Sequence, residues 1–343
     1  MNDVARLAGV SQSTVSAVVN NREATIGISD ETSARVAAAI EELGFRPNLA
    51  ARGLRLQRSR TFGFITDQIA SSPFGGRTVL GAQDAAWADD HLLLMVNTSG
   101  DPLIEKSAIE ALIDRGVDGL LYAAVSWGEV RLPASFTALP SILVNCWSPD
   151  ADRLSAVVPC EVEGGRAATD ELLTHGHRRI AFLGGTPNDA ASIERERGFR
   201  EAHQTANLPV REQWVRYGRY DISSGYQLTT DLYQGGDGDE WPTGLVCGND
   251  RMAAGAISAL ANRRLSVPND VSVVGYDDQE GLADQVTPAL TTVSIPHYAM
   301  GRAGVQHLLT VVGTTAVARA EPTLLRVPGQ LIRRDSVGSP RTR

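Results

Sequence analysis

From Thr61 onward, short apolar runs recur along the chain: Phe62–Ile65, Leu92–Val96, Gly119–Ala124, Ile142–Cys146, Ile180–Leu183, Leu245–Cys247 and Val271–Val274. Stretches patterned for helices lie between many of them, for example Gly165–Leu173 and Met252–Leu260. A strand that is apolar throughout must be buried on both faces, and intervening helices provide the cover, so the alternation specifies parallel sheets flanked by helices. The pattern runs too long for one such sheet around one core. It implies two α/β lobes with a cleft between them, and ligands of such folds sit outside the carboxyl ends of the strands.

The first sixty residues have a different texture. Val4, Leu7 and Ala8 give a short helix an apolar face, Gly9 supplies a turn, and Ser11 or Ser13 can cap a second helix. In that helix Val15, Val18 and Val19 face inward, leaving Gln12, Ser13, Ser16 and Ala17 outward. This is the pattern of a helix-turn-helix with a recognition helix for the DNA major groove. Ser29 can cap a third helix with Asp30 and Glu31 in its first turn, Val36, Ile40 and Leu43 as its inner stripe and Gly44 as its end.

Net charge bears on the DNA reading. The 343 residues carry −8, but residues 1–60 hold eight Arg against six Asp or Glu, so the head is +2 and the remainder −10. Arg46, Arg52, Arg55, Arg58 and Arg60 form a stripe with no acid among them, suited to phosphate. No apolar run is long enough to span a membrane and no signal peptide opens the chain, which implies a cytoplasmic protein. Cys146, Cys160 and Cys247 lie far apart without metal-ligand spacing, as expected of buried thiols in a reducing compartment. No metal cluster, cofactor fingerprint or catalytic nucleophile context appears, so no enzyme activity is expected.

Taken together, several motifs resemble the LacI/GalR family of bacterial transcription regulators. In the head they are Asp3-Val4-Ala5, Ala8-Gly9-Val10-Ser11, Thr14-Val15-Ser16 and Leu43-Gly44-Phe45-Arg46-Pro47-Asn48 with Ala51. In the core they are Gly176-His177-Arg178-Arg179-Ile180-Ala181, Arg195 with Gly198-Phe199, Asn249-Asp250 with Met252-Ala253 and Gly255, Asp270 through Asp278, and Leu290-Thr291-Thr292-Val293. The resemblance covers essentially the whole chain. It implies a three-helix headpiece over residues 1–45, a hinge helix over 46–60 and a two-lobed core over 61–343, similar to periplasmic sugar-binding proteins. The first lobe is expected at about 61–159 and 291–320, the second at about 160–290 and 321–343.

On the DNA side, the resemblance assigns Gln12, Ser13 and Ala17 to base edges. Gln12 suits adenine and Ala17 a thymine methyl. Thr14, Ser16 and Asn20 are assigned to phosphate, which positions without specifying. In the hinge, Asn48, Ala51, Arg52 and Arg55 accompany Leu54, the residue that matches the family's minor-groove wedge. Two departures stand out. Only Met1 and Asn2 precede Asp3, which implies a late start or a weaker first helix, and the loop Asn20–Ile28 is longer than in the lactose repressor.

In the cleft, the resemblance assigns Arg195 and Asp277 to effector contact. A guanidinium offers paired donors for hydroxyls or a carboxylate, and Asp277 can accept from two sugar hydroxyls. Asn249 ends a strand and begins a helix, where it serves either the ligand or the helix cap; Asp250 is expected to be structural. Trp147 and Tyr220 match aromatic positions suited to sugar C–H faces or to a base. Asp67 and Phe74 are the first-lobe candidates. Pro159-Cys160-Glu161 departs from an aspartate-based motif common in the family.

The expectation is therefore a ligand-responsive repressor that binds a palindromic operator as a homodimer, with a small sugar as effector and no cofactor. The C-terminal stretch Thr323–Arg343 has no leucine heptad, which favours a dimer over a zipper-held tetramer. The alternatives are a purine- or nucleoside-responsive regulator of the same fold and a sugar-binding module without a DNA role.

Overall fold

A computed structural model describes residues 1–19, 23–45, 58–68, 74–149, 154–235, 240–312 and 322–341. The chain divides into two units, residues 1–60 and 61–343.

The first unit holds α1 (Asn2–Ala8), α2 (Gln12–Val19), α3 (Glu23–Ile26) and α4 (Asp30–Glu42). Gly9 ends α1 at φ 65°, and the Val10 N–H donates back to Ala5 O. Ser11 caps α2 by accepting from Thr14 N at 3.1 Å, and Ser29 caps α4 by accepting from Thr32 N. Val4, Ala5, Ala8, Val15, Val36 and Ala39 form the core. Two expected core residues differ. Leu7 is 46% exposed, because α1 buries Val4, Ala5 and Ala8 and its stripe is turned by one position; Leu43 is also exposed, because it sits at the C-cap, past the last turn of α4.

The second unit contains two six-stranded sheets. The first runs β11 (Leu324–Val327), β5 (Ser155–Pro159), β4 (Ser141–Trp147), β3 (Gly119–Glu129), β1 (Thr61–Thr66), β2 (Leu92–Asn97), all parallel. The second runs β12 (Leu331–Ile332), β10 (Thr291–Ser294), β9 (Ser272–Asp277), β8 (Gly244–Cys247), β6 (Ile180–Gly184), β7 (Val215–Tyr217). It is parallel except where β12 meets β10. Helices α5 (Gly75–Ala88) and α11 (His297–Val311) pack together over the first sheet, whose other face takes α6 (Pro102–Asp114). The pairs α7 (Glu161–Thr174) with α8 (Ala190–Thr205), and α9 (Ile222–Leu232) with α10 (Asp250–Asn262), accompany the second sheet.

Lobe membership differs from the expected division near the C-terminus. Thr291–Ser294 lies in the second sheet, beside β9, and Leu324–Val327 lies in the first, beside β5. The chain thus crosses between lobes after β5, after β10 and after β11. Short strands at crossings carry no local signal for which sheet they join.

Candidate functional site

The carboxyl ends of the second sheet's strands and the helix starts that follow them bring several polar side chains together. Arg195 stands in the second turn of α8, 5% exposed. Its Nε and Nη2 donate to the two Glu161 oxygens at 2.6 and 2.8 Å, and its Nη1 donates to Gly248 O at 2.6 Å. The guanidinium lies 3.7 Å from the centre of the Tyr276 ring. Burial opposes its charge, but Glu161 outweighs burial and keeps the group firmly cationic. Glycine builds this pair. A Cβ on Gly165 would sit 2.1 Å from Arg195 O, and one on Gly198 2.0 Å from Val162 O, so only hydrogen at both positions lets the α7 and α8 backbones approach closely enough.

Asp277 ends β9 at φ 107°, its Oδ1 3.9 Å from Arg195 Nη1. Burial pushes its carboxyl well above the ordinary range, Arg195 pulls it down, and Asp250 and Glu161 push it further up. Burial thus works against a charged Asp277 even with Arg195 beside it.

Tyr220 stands at φ 59° with its ring against Gly185, where a Cβ would meet ring carbons at 2.0–2.5 Å. Its hydroxyl donates to Asp189 Oδ2 at 2.9 Å, and Asp189 in turn caps α8. Asn249 is occupied by capping. Its Oδ1 accepts from Met252 N at 2.9 Å and its Nδ2 donates to Tyr220 O at 3.1 Å. Asp250 is structural, accepting from Thr292 Oγ1 and Gln279 N at 2.6 Å each, with burial raising it to about 7.

From the first lobe, Phe74 begins α5 with its ring centre 6.1 Å from that of His297 and 5.7 Å from the Arg251 guanidinium carbon. Asp67 is held by backbone: its Oδ1 accepts from Gln68 N at 2.6 Å and Val125 N at 3.0 Å. Trp147 is the clear displacement. It leaves the Arg195–Asp277 group and packs at a tilt against Trp127, ring centres 4.7 Å apart, beside a separate pocket.

Two further residues shape the site. Glu161 departs from the family motif, and its one sequence signal is a carboxylate opening a helix just after an apolar strand. His297 is 7% exposed, its Nε2 has no hydrogen-bond partner, and burial lowers its pKa to about 4, helped by Arg195 and Arg77. The sequence around it gives no sign of this.

On α2, Gln12 and Ser13 are exposed and Thr14 and Ser16 partly so. Ser13 Oγ lies 2.6 Å from Ser11 Oγ, inside the cap. Ala17 is buried, 4% exposed, which withdraws it from the expected base-reading face; a single methyl on a short helix is readily covered. Asn20, Asn48, Ala51, Arg52, Leu54 and Arg55 lie outside the described residues. Among the described residues no His, Cys, Asp and Glu cluster could hold a metal, and no helix is long and apolar enough to cross a membrane.

A helix-turn-helix head joined to a two-lobed α/β core defines a class of small-molecule-controlled DNA-binding proteins. Residues 1–48 match the model of "Bacterial regulatory proteins, lacI family", and residues 169–337 that of "Periplasmic binding protein-like domain". The chain is 35% identical over 311 residues to the HTH-type transcriptional repressor PurR of Aliivibrio fischeri (strain MJ11), covering 90% of each. It is 31% identical over 341 residues to the PurR of Haemophilus influenzae (strain PittEE), covering 99% of this chain and 98% of the relative. Among solved structures, it resembles the lac repressor dimer bound to operator and the anti-inducer ONPF (TM-score 0.76, 27% identity, 98% of each chain). It also resembles a transcriptional regulator CelR–cellobiose complex (TM-score 0.67, 29% identity, 97% of this chain and 98% of that one). The chain belongs to the LacI family of bacterial regulatory proteins. It is a ligand-responsive transcriptional repressor and not an enzyme; repressors of this family bind operator DNA and small effectors and function as dimers.

Proposed function

We propose that this repressor responds to a purine base bound at Arg195, Asp277, Tyr220, Phe74 and His297. The carrying observation is the buried Arg195–Asp277 pair. Glu161 already balances the guanidinium and burial works against a charged Asp277, so the pair suits an uncharged polar ligand that accepts from Arg195. Donors on one side, aromatic rings at Tyr220 and Phe74, and an uncharged imidazole suit a flat, acceptor-rich heterocycle. Of the residues expected to line the cleft, Asn249 is spent on a helix cap and Trp147 lies beside another pocket. The relatives named PurR, 30–35% identical over nearly the whole chain, support the same ligand class.

Gln12 reads base edges from the exposed start of α2, while Thr14, Ser16 and the arginine-rich segment 45–60 grip phosphate. Dimer pairing covers the apolar surface of Leu80 and Trp87 on α5 and of Leu92, Leu94 and Met95 on edge strand β2. Ligand shifts operator affinity through its preference for one lobe arrangement. Calorimetric titration of the full chain with hypoxanthine and guanine, beside galactose and cellobiose, tests the effector class. Binding of a purine with a change in operator affinity is expected; binding of a sugar alone overturns it.

A further inference from the structure

A cavity of about 430 Å³ lies on the first sheet's outer half, over β4, β5 and β11, and is lined by residues of both lobes. Its origin is a bulge. Between the pairs Ala123–Val144 and Gly128–Cys146, β3 has four residues where β4 has one, Asn145. Asn145, at φ 58°, donates from Nδ2 to Ala124 O and Val125 O, both at 3.0 Å, and Asp67 takes the Val125 N–H. The pinned loop carries Trp127 across to Trp147, and the two indoles, tilted by 47°, wall the cavity.

Two opposite charges face into it. Glu194 reaches in from α8 of the second lobe, its Oε2 buried and the indole N–H of Trp127 turned toward it as the nearest donor. Burial raises the Glu194 carboxyl, and Arg326 and the Trp127 N–H pull it back toward its charged form. Arg326, on β11, has an exposed side chain that lines the same cavity, close enough for its charge to act on Glu194. An acid and a base thus share one pocket without touching, separated by aromatic and aliphatic wall.

We propose that this cavity binds a small zwitterion of the α-amino-acid class with an apolar side chain. Its ammonium meets Glu194, its carboxylate meets Arg326, and its side chain lies on the two indoles. A lone cation or a lone anion leaves one protein charge uncompensated. Because Glu194 belongs to one lobe and the rest of the wall to the other, the ligand favours the lobe arrangement that keeps α8 at this wall. Glu194 also adjoins Arg195 in sequence, which joins the cavity to the effector site.

The test is titration of the full chain with L-phenylalanine, beside 2-phenylethylamine and 3-phenylpropionate, followed by calorimetry and by the tryptophan indole N–H resonances. L-Phenylalanine is expected to bind and to shift the Trp127 resonance, with each truncated analogue at least about tenfold weaker. Glu194→Gln and the surface change Arg326→Gln should each weaken it about tenfold while the melting temperature holds. The proposal is overturned by any of three results: no binding at about 10 mM, binding that leaves the Trp127 and Trp147 resonances unmoved, or 2-phenylethylamine binding as tightly as the amino acid. None of these bears on whether the Arg195–Asp277 site takes a purine.

Discussion

Replacing Glu161 with alanine isolates what holds the effector arginine. The carboxylate is fully buried and makes two charge-assisted bonds to Arg195, itself 5% exposed. Removing one member of a buried ion pair leaves the other charge desolvated and costs about 3–5 kcal/mol. In a domain of this size that lowers the melting temperature by about 6–20 °C. Glu161→Gln keeps an acceptor for one N–H and should lose less, about 1.5–3 kcal/mol. Asp277 supplies an internal check. Glu161 is among the charges that hold the Asp277 carboxyl up, so without it Asp277 ionises more readily beside Arg195. A carboxyl raised in the folded state contributes stability in full below its unfolded value and loses it as pH rises. The variant loses that slope, so its deficit should be smaller at about pH 8 than at about pH 5. Circular-dichroism melts of the three proteins at both pH values measure this. If the alanine variant melts within about 2 °C of the parent, Arg195 does not depend on Glu161, and the electrostatic account of the site fails.

Gly185→Ala should push Tyr220 off its seat, since the added carbon would meet the ring at 2.0 Å; effector affinity by calorimetry should fall at least about tenfold. His297, held near pH 4, contributes about 3 kcal/mol of stability that is present above the unfolded value and is lost as pH falls from about 6.5 through 4. In urea unfolding at a series of pH values, His297→Phe should remove that acid sensitivity; an unchanged pH profile would show the ring to be solvated. Ser11→Ala deletes the α2 cap and should destabilise the headpiece by about 1 kcal/mol, read as lower headpiece helicity and weaker operator binding in a gel-shift series.

Strands and headpiece were legible because each rests on short-range chemistry. The apolar runs at Phe62–Ile65 and Ile180–Leu183 can only be doubly buried strands, and Gly9, Ser11 and Ser29 act through neighbours within a few residues. The site was legible in its members but not in their roles. Arg195, Tyr220 and Asp277 do gather at one sheet end. Asn249 offered two roles, and only the geometry of Met252 N and Tyr220 O shows the cap taking it. Trp147 ends its strand as expected, but a bulge in the neighbouring strand redirects it, and a bulge is not written in any one residue. Glu161 and His297 matter through partners 34 residues away and through burial against α5, neither of which periodicity reports.

The interleaving of the two sheets constrains how the chain is made. The last strand added to the first sheet, Leu324–Val327, follows five of the second sheet's six strands in the chain, and it sits on the sheet's outer edge beside β5. Neither lobe is a continuous stretch, so neither can finish folding during translation without the other. The headpiece, contiguous and ahead of both lobes in the chain, can. The DNA-reading head can therefore be ready before either sheet is complete, and loss of β11 and β12 would leave both lobes unfinished.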